Sequence, residues 1–341
     1  MAFSVTATNG TSRVLSANAD GTGERPEPGM PPAPRDATSA KARTYVADEP
    51  QLPLAWCGSG GCNPPWILKR VIALTRWDGR GHTLLTRDGY DRDPTFSPDG
   101  SLIAYVSHET HQGRPSVDVD VVKVVRPDGA LVRRYVAPRG GSYAAPAWSP
   151  DGRHLAVVER PSIEPFDDGT VVLLPVGSGA TARRIGRGTF DQLAWAPDGS
   201  LLVARGWVFG TVGRARSVHP TGHDLWVVPA SGAAPRRLTF FTPADRDGFP
   251  TFCGRGADDY GAGDPVVSPD SRRVAYSTNA AHLAHGGYSW DVRVVGVDGK
   301  DASVVHRSPA PRCVPEKVRN GDKARTVDRI HGVVARPLAW V

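Results

Sequence analysis

The chain has 341 residues, 22% of them charged, and a formal net charge of +6 at pH 7; this length can bury a large core in one all-β domain. Its 38 glycines and 31 prolines argue against a helical protein and for many short strands joined by turns. No apolar run is long enough for a membrane-spanning helix. The basic residues are scattered, without the stripe that nucleic-acid binding needs, so neither a membrane span nor a nucleic-acid partner is expected.

The opening residues already look like part of a repeat. Met1-Ala2-Phe3-Ser4 matches Val274-Ala275-Tyr276-Ser277, and Arg13–Gly21 matches Asp291–Gly299, with Asn9-Gly10 as a hairpin turn between. Residues 1–21 therefore read as the second and third strands of a β-unit. No basic region and apolar stretch of a secretory leader is visible at Met1. Residues 22–51 are proline-rich and weakly periodic, and read as a linker or surface loop with one outer strand near Thr44-Tyr45-Val46.

From residue 52 onward the repeat is regular. Leu54-Ala55-Trp56 reads as a first strand, with Cys57-Gly58-Ser59-Gly60-Gly61-Cys62 in place of the usual turn; Val71–Gly79 and Thr83–Thr86 follow as third and fourth strands. The unit then appears in clearest form as Thr95-Phe96-Ser97-Pro98-Asp99-Gly100 before Ile103-Ala104-Tyr105-Val106. It returns as Ala147-Trp148-Ser149-Pro150-Asp151-Gly152, Ala194-Trp195-Ala196-Pro197-Asp198-Gly199 and Val267-Ser268-Pro269-Asp270-Ser271. In each copy proline presets φ, and Asp-Gly supplies the side-chain bond and the left-handed position of a tight turn. Third and fourth strands follow each copy, ending with Asp291–Val295 and Ser303–His306.

The last residues, Arg336-Pro337-Leu338-Ala339-Trp340-Val341, repeat Leu52-Pro53-Leu54-Ala55-Trp56. They form a first strand with no strands behind it, whereas the opening residues are later strands with no first. Paired, they make one composite blade and leave no open edge. The expected fold is all-β: a six-bladed β-propeller whose last blade is closed by the N- and C-terminal strands, with residues 52–341 forming the other blades and that first strand.

The Ser-Pro-Asp-Gly turns, the Ile103-Ala104-Tyr105 strand, Asp224-Leu225-Trp226-Val227-Val228 and Arg236-Arg237-Leu238-Thr239 resemble the WD40-like repeats of TolB-type propellers. The resemblance implies a non-catalytic binding role and a periplasmic, envelope or secreted location. A cytoplasmic location is the alternative. The matching residues are turn and core positions, so they name no ligand. A monomer that binds a protein, peptide or glycan is expected.

In a propeller the second-to-third and fourth-to-next-first connections share one face. Nearly all surplus length falls in these two classes, at 107–118, 159–169, 205–223, 240–264, 278–290 and 307–336. Elaborated loops on a rigid scaffold are where binding usually sits. Glu159, Trp207, Phe209, Tyr260 and Tyr288 are the candidate ligand-binding residues there. Asp224 and Asp291, which open third strands, read as structural. The same face holds His108, His111, His282 and His285. Imidazoles brought together could bind Mn or Zn, which would resemble the metal centres of propeller-type lyases and supports the alternative of a metal-dependent lyase or hydrolase acting on a saccharide. The opposing reading is hydrogen-bonding loop histidines. Asp88, Asp91, Asp93, Asp245 and Asp247 could hold Ca through oxygen ligands or simply cap turns. No Gly-x-Ser-x-Gly elbow is present; Gly140-Gly141-Ser142-Tyr143-Ala144 lies in a connection, so no nucleophile is assigned.

Cys57 and Cys62 flank a first-to-second turn in this reading, on the short-turn face. Cys253 and Cys313 sit in fourth-to-first connections on the opposite face. A bridge needs Cα atoms within about 7 Å, so the expected pairs are Cys57–Cys62 and Cys253–Cys313. Four reduced thiols in a cytosolic protein are the alternative.

Overall fold

The computed structural model describes residues 1–7, 12–31, 37–39, 41–50, 57–58, 61–62, 70–87, 89–111, 117–164, 166–177, 181–212, 217–241, 251–252, 255–256, 261–278, 290–309, 312–320, 323–331 and 333–340. For 57–58, 61–62, 111, 117, 210–212, 217–221, 251–252, 255–256, 312–320, 323–331 and 333–334, as for 7 and 50, the backbone alone is described. Six four-stranded antiparallel sheets make a six-bladed β-propeller. Blade I spans 38–84, blade II 91–135, blade III 142–188, blade IV 190–237 and blade V 262–306. Blade VI joins Ala2–Ala7, Ser12–Ser16 and Arg25–Pro26 to Val333–Ala339. By compactness the chain divides into two units, 29–202 with 228–235, and 1–28 with 203–227 and 236–341.

In the first unit, the turn of each regular blade is closed by its own side chains. In blade III, Ser149 Oγ donates to Asp151 Oδ1 at 2.5 Å, and Asp151 Oδ1 also accepts from Arg153 N at 3.0 Å. Ser149 Oγ accepts from His154 N at 2.9 Å, and Gly152, at φ 68°, donates to Ser149 O at 2.9 Å. The serine and aspartate hold the turn while glycine takes the left-handed position without a Cβ penalty. Blade II repeats the set with Ser97, Asp99 and Gly100 at φ 71°.

Next to each turn, the first strand packs one blade against its neighbour. Trp148 Nε1 donates to Thr95 O at 3.3 Å and Trp195 Nε1 to Ala147 O at 3.1 Å. Each indole thus bonds the residue just before the neighbouring first-strand anchor. Between blades II and III, the buried Ala104, Val106, Val122, Val124, Trp148 and Leu155 form one apolar cluster. Fully burying a side chain of Val or Leu size contributes about 1.5–3 kcal/mol. First strands carry a bulge before their proline, with register shifts at Arg92/Thr95 and Ala144/Ala147 and with Asp93 and Ala145 at φ 54° and 52°.

Blade I departs from the sequence expectation. Its first strand is Thr38–Ser39 and its second is Thr44–Pro50, paired over its whole length with Arg70–Arg76. Blade I therefore starts within 22–51, and Thr44-Tyr45-Val46 is a second strand, not an outer one. Leu54-Ala55-Trp56, expected as the first strand, lies outside the described residues. The disguise is chemical: the turn runs through Lys41-Ala42-Arg43, without Pro-Asp-Gly. Ser39 Oγ accepts from Ala42 N at 3.3 Å, and Arg43 at φ 50° takes the place of glycine.

This shift moves the first cysteine pair. Cys57–Gly58 and Gly61–Cys62 form a small hairpin inside the second-to-third connection of blade I, at the end opposite the short turns. The face argument that separated Cys57 and Cys62 from Cys253 and Cys313 therefore falls. Cys57 and Cys62 are nonetheless direct cross-strand partners. Cys253 and all four cysteine side chains lie outside the described residues.

In the second unit, Phe3, Leu15, Val292, Val294, Val305 and Ala335 share one buried cluster. Ala2–Ala7 runs antiparallel to Val333–Ala339, with Phe3 opposite Pro337 and Ala7 opposite Val333. Trp340 Nε1 donates to Val266 O at 3.1 Å, repeating the indole contact of the other unit. Asp264 at φ 48° repeats the bulge before Pro265.

Candidate functional site

Where it is described, much of the surplus length is built as β-structure. In blade II the second and third strands extend to Ile103–His111 and Val117–Val125 and pair along their whole length. In blade IV they run Leu201–Val212 and Ser217–Pro229, and a further hairpin pairs Arg312–Asn320 with Lys323–His331. The segments 107–118, 205–223 and 307–336, expected as loops, are thus mainly prolonged ribbons, whose backbone groups satisfy one another.

A cleft of about 600 Å³ opens at the end of blade III opposite its Ser149–Gly152 turn. Four segments build it: the connection into the blade, with Pro138 and Arg139; the end of the second strand, His154–Arg160, with Glu159 and Arg160; the connection that follows, with Asp168; and the fourth strand, with Arg184 and Arg187. The Pro138–Gly140 turn places Arg139 at φ 58°, ψ 29°, a conformation that L-residues rarely adopt outside glycine. Gly141 completes the approach, since a Cβ there would lie 2.5 Å from Arg160 O.

The charges in the cleft are unevenly satisfied. Glu159 accepts from Arg184 Nη2 at 2.7 and 3.0 Å, and Asp168 from Arg187 Nη2 at 2.9 Å. The Glu159 bond holds the Arg184 guanidinium above its ordinary range. Arg160 is only 6% exposed; its Nη2 donates to Phe190 O, while its Nε is buried with no partner among the described residues. Burial lowers its pKa, and the Asp191 carboxylate offsets part of that. Arg139 is exposed and forms no ion pair with any described residue. Both acids of the cleft are already engaged, so what it presents is guanidinium.

The other expected site residues are more dispersed. Of the ligand-binding set, Glu159 lines this cleft. Trp207 packs against His223 with ring centroids 3.8 Å apart and ring planes tilted by 45°, and Phe209 is 41% exposed; both lie in the second unit. Tyr260 and Tyr288 lie outside the described residues, as do His282 and His285. His108 stands on the prolonged strand of blade II, where its Nδ1 meets Asp120 Oδ1 at 3.0 Å and its Nε2 lies 3.9 Å from Asp118. The side chain of His111 is not among those described. No group of three or more His, Cys, Asp or Glu arranged to hold a metal occurs among the described residues. Asp88, Asp245 and Asp247 are outside them, and Asp91 is buried.

Asp224 and Asp291 act structurally. Asp224 is fully buried and accepts from Thr239 Oγ1 at 2.7 Å, Phe241 N at 3.0 Å and the Arg237 guanidinium. Asp291 accepts from Ser308 N at 2.9 Å. Asp120, at the same position in blade II, pairs with Arg92 at 2.6 Å.

Sequence reasoning missed the arginines of the cleft. Each comes from a different segment, and scattered basic residues had been read as a solvated surface. Arg183-Arg184 and Arg187 on one strand, together with Pro138-Arg139-Gly140-Gly141, were the available signal.

No protein-family model matches the chain. Over 83 residues it is 41% identical to the Tol-Pal system protein TolB of Alcanivorax borkumensis, a match covering 24% of this chain and 18% of that protein. Among solved structures, an oligogalacturonate lyase in complex with manganese aligns over 78% of this chain and 68% of its own, with TM-score 0.47 and 15% identity. A puromycin-hydrolyzing peptidase of Mycobacterium tuberculosis aligns over 95% and 50%, with TM-score 0.43 and 16% identity. The propeller domain of the Trilobed protease from Pyrococcus furiosus aligns over 77% and 67%, with TM-score 0.40 and 13% identity. Over those 83 residues the chain is similar to TolB, and its six four-stranded sheets make a propeller.

Proposed function

We propose that this TolB-like propeller is a non-catalytic binding protein that captures a protein, peptide or glycan through the face built by its long connections. The observation that carries this reading is the blade III cleft. It opens at the elaborated end of the blade, and its acids are tied up in ion pairs instead of standing ready for proton transfer. The 18% coverage of TolB leaves that protein's assembly as a source of ideas only. A monomer in the periplasm or elsewhere outside the cytoplasm fits the reading. So does a Cys57–Cys62 bridge, because directly opposed strand residues have Cα atoms about 4.5–5.5 Å apart.

The test is to probe the full chain on peptide and oligosaccharide arrays, with turnover followed in the same samples. A stoichiometric complex without turnover is expected, weakened by Phe209→Arg or by substitutions in the cleft and unchanged by Lys300→Ala in the short Gly296–Lys300 turn. Turnover of a bound probe, or a complex sensitive only to Lys300→Ala, would sink it.

A metal-dependent lyase or hydrolase is the second reading, favoured by one observation. The Nδ1 contact of His108 with a carboxylate is the arrangement that orients metal-binding imidazoles. Metal analysis of the purified chain decides. Stoichiometric Mn or Zn that disappears when His108, His111, His282 and His285 are all changed to alanine would replace the binding reading with this one.

A further inference from the structure

We propose that the blade III cleft is a docking site for an acidic peptide segment, whose side-chain carboxylates are received by Arg139 and Arg160 beside the paired Arg184 and Arg187. This assignment rests on the binding reading above and adds the ligand class.

Three independent observations point the same way. First, the cleft holds four arginines and two carboxylates, and both carboxylates are engaged by Arg184 and Arg187. An incoming anion would therefore meet guanidinium without first displacing a partner of Arg139. Second, Arg160 lines the cleft while only 6% exposed, and its Nε has no partner among the described residues. A buried donor left without an acceptor is costly, and a site that accepts an anion explains keeping it. Third, Arg139 is held in a left-handed conformation between Pro138 and Gly140. Strain of this kind concentrates where a side chain must be aimed.

The chemistry selects carboxylate and the surroundings select peptide. Guanidinium presents a planar fork that matches a carboxylate bidentately, which an ammonium does not. The strand that carries Arg184 and Arg187, Arg183–Gly188, is the outermost of its sheet, and no described strand pairs with its far edge. An extended segment laid along such an edge gains main-chain hydrogen bonds as its side chains reach the arginines. Among the described residues, no aromatic side chain lines the cleft to offer a sugar ring a stacking surface.

The experiment uses the full chain and dye-labelled hexaglutamate in fluorescence anisotropy at low ionic strength, with hexalysine, hexaglutamine and hexagalacturonate as the other probes. Hexaglutamate should bind and the lysine and glutamine peptides should not. Binding should weaken about tenfold in Arg139→Ala and further in Arg139→Ala/Arg187→Ala, with melting temperatures within a degree or so of the parent because both side chains are exposed. Arg160→Met should abolish binding; if it does not fold, the two surface variants decide alone. Hexaglutamate bound equally by parent and variants would place the ligand elsewhere, overturning this proposal and leaving the binding-face reading intact. Hexagalacturonate bound at the cleft in preference to the peptide would overturn the ligand class. Binding of no probe would overturn the proposal outright, with the face reading then judged by its own arrays and Phe209→Arg.

Discussion

The two ends of blade III use the same kinds of residue in opposite ways. At the turn end, Ser149, Asp151, Gly152, Arg153 and His154 lie within six consecutive positions and satisfy one another locally. At the cleft end, the charged groups come from 139, 159–160, 168 and 184–187; a buried guanidinium nitrogen has no partner among the described residues, and an arginine occupies the φ that glycine occupies at the turn. Local closure is what a scaffold requires. Convergence of distant charges with some left unpaired adds little stability by itself; it is the feature on which the proposed peptide site rests.

The sharpest way to break this comparison is to strike the shared core. Trp148 is 7% exposed, packs in the cluster between blades II and III and donates to Thr95 O. Trp148→Ala should cost about 3–5 kcal/mol, read by denaturant unfolding, and should weaken both ends together. An unchanged midpoint would mean that the blades do not unfold as one.

A matched pair of substitutions separates the ends. Gly152→Ala places a Cβ at φ 68° that meets only Pro98 Cδ, at 3.8 Å and without a clash, so the change introduced is backbone strain; a loss of about 1 kcal/mol is expected. Arg139→Gly relieves the same conformation at φ 58° and should gain about 0.5–1 kcal/mol while impairing capture of an anion. Equal signs for the two in thermal melts would remove the contrast.

Protonation gives a smaller handle. The Asp151 carboxyl lies below its usual range, first because of the Ser149 hydroxyl and next because of the Arg153 amide. A depressed folded value adds stability that is present above the unfolded value of about 3.9 and lost as pH falls through the folded one. Ser149→Ala should raise the Asp151 pKa and flatten this acid-side loss, measured by carboxyl NMR titration alongside melting. The smallest effect belongs to the cleft: Arg184→Ala removes an ion pair whose arginine is 56% exposed and should change stability by no more than about 0.5 kcal/mol. A loss of several times that would show that Glu159–Arg184 is part of the scaffold.

Legibility followed the same division. The Ser-Pro-Asp-Gly turns and the indole anchors are local signals, so blades II to V and the composite blade VI could be read from the chain. Blade I could not, because Ser39 and Arg43 do the work of serine and glycine without the intervening proline and aspartate. That loss displaced the first strand and, with it, the face assigned to Cys57 and Cys62. Glu159 was found through its loop, yet its clamp, Arg184, pairs from the fourth strand. Only the register of the sheet brings those two together.

The ladder that closes blade VI also has a mechanical reading. Ala2 stands opposite Ala339 at one end of the pairing, and Ala7 stands opposite Val333 at the other. A tether pulling on Ala2 and Ala339 loads the rungs one after another, as a zip opens, and yields at low force however much heat the ring withstands. Anchored instead at Ala2 and Val333, the same rungs bear the load together in shear and hold far longer. The strength of this ring under tension is therefore a property of where it is gripped.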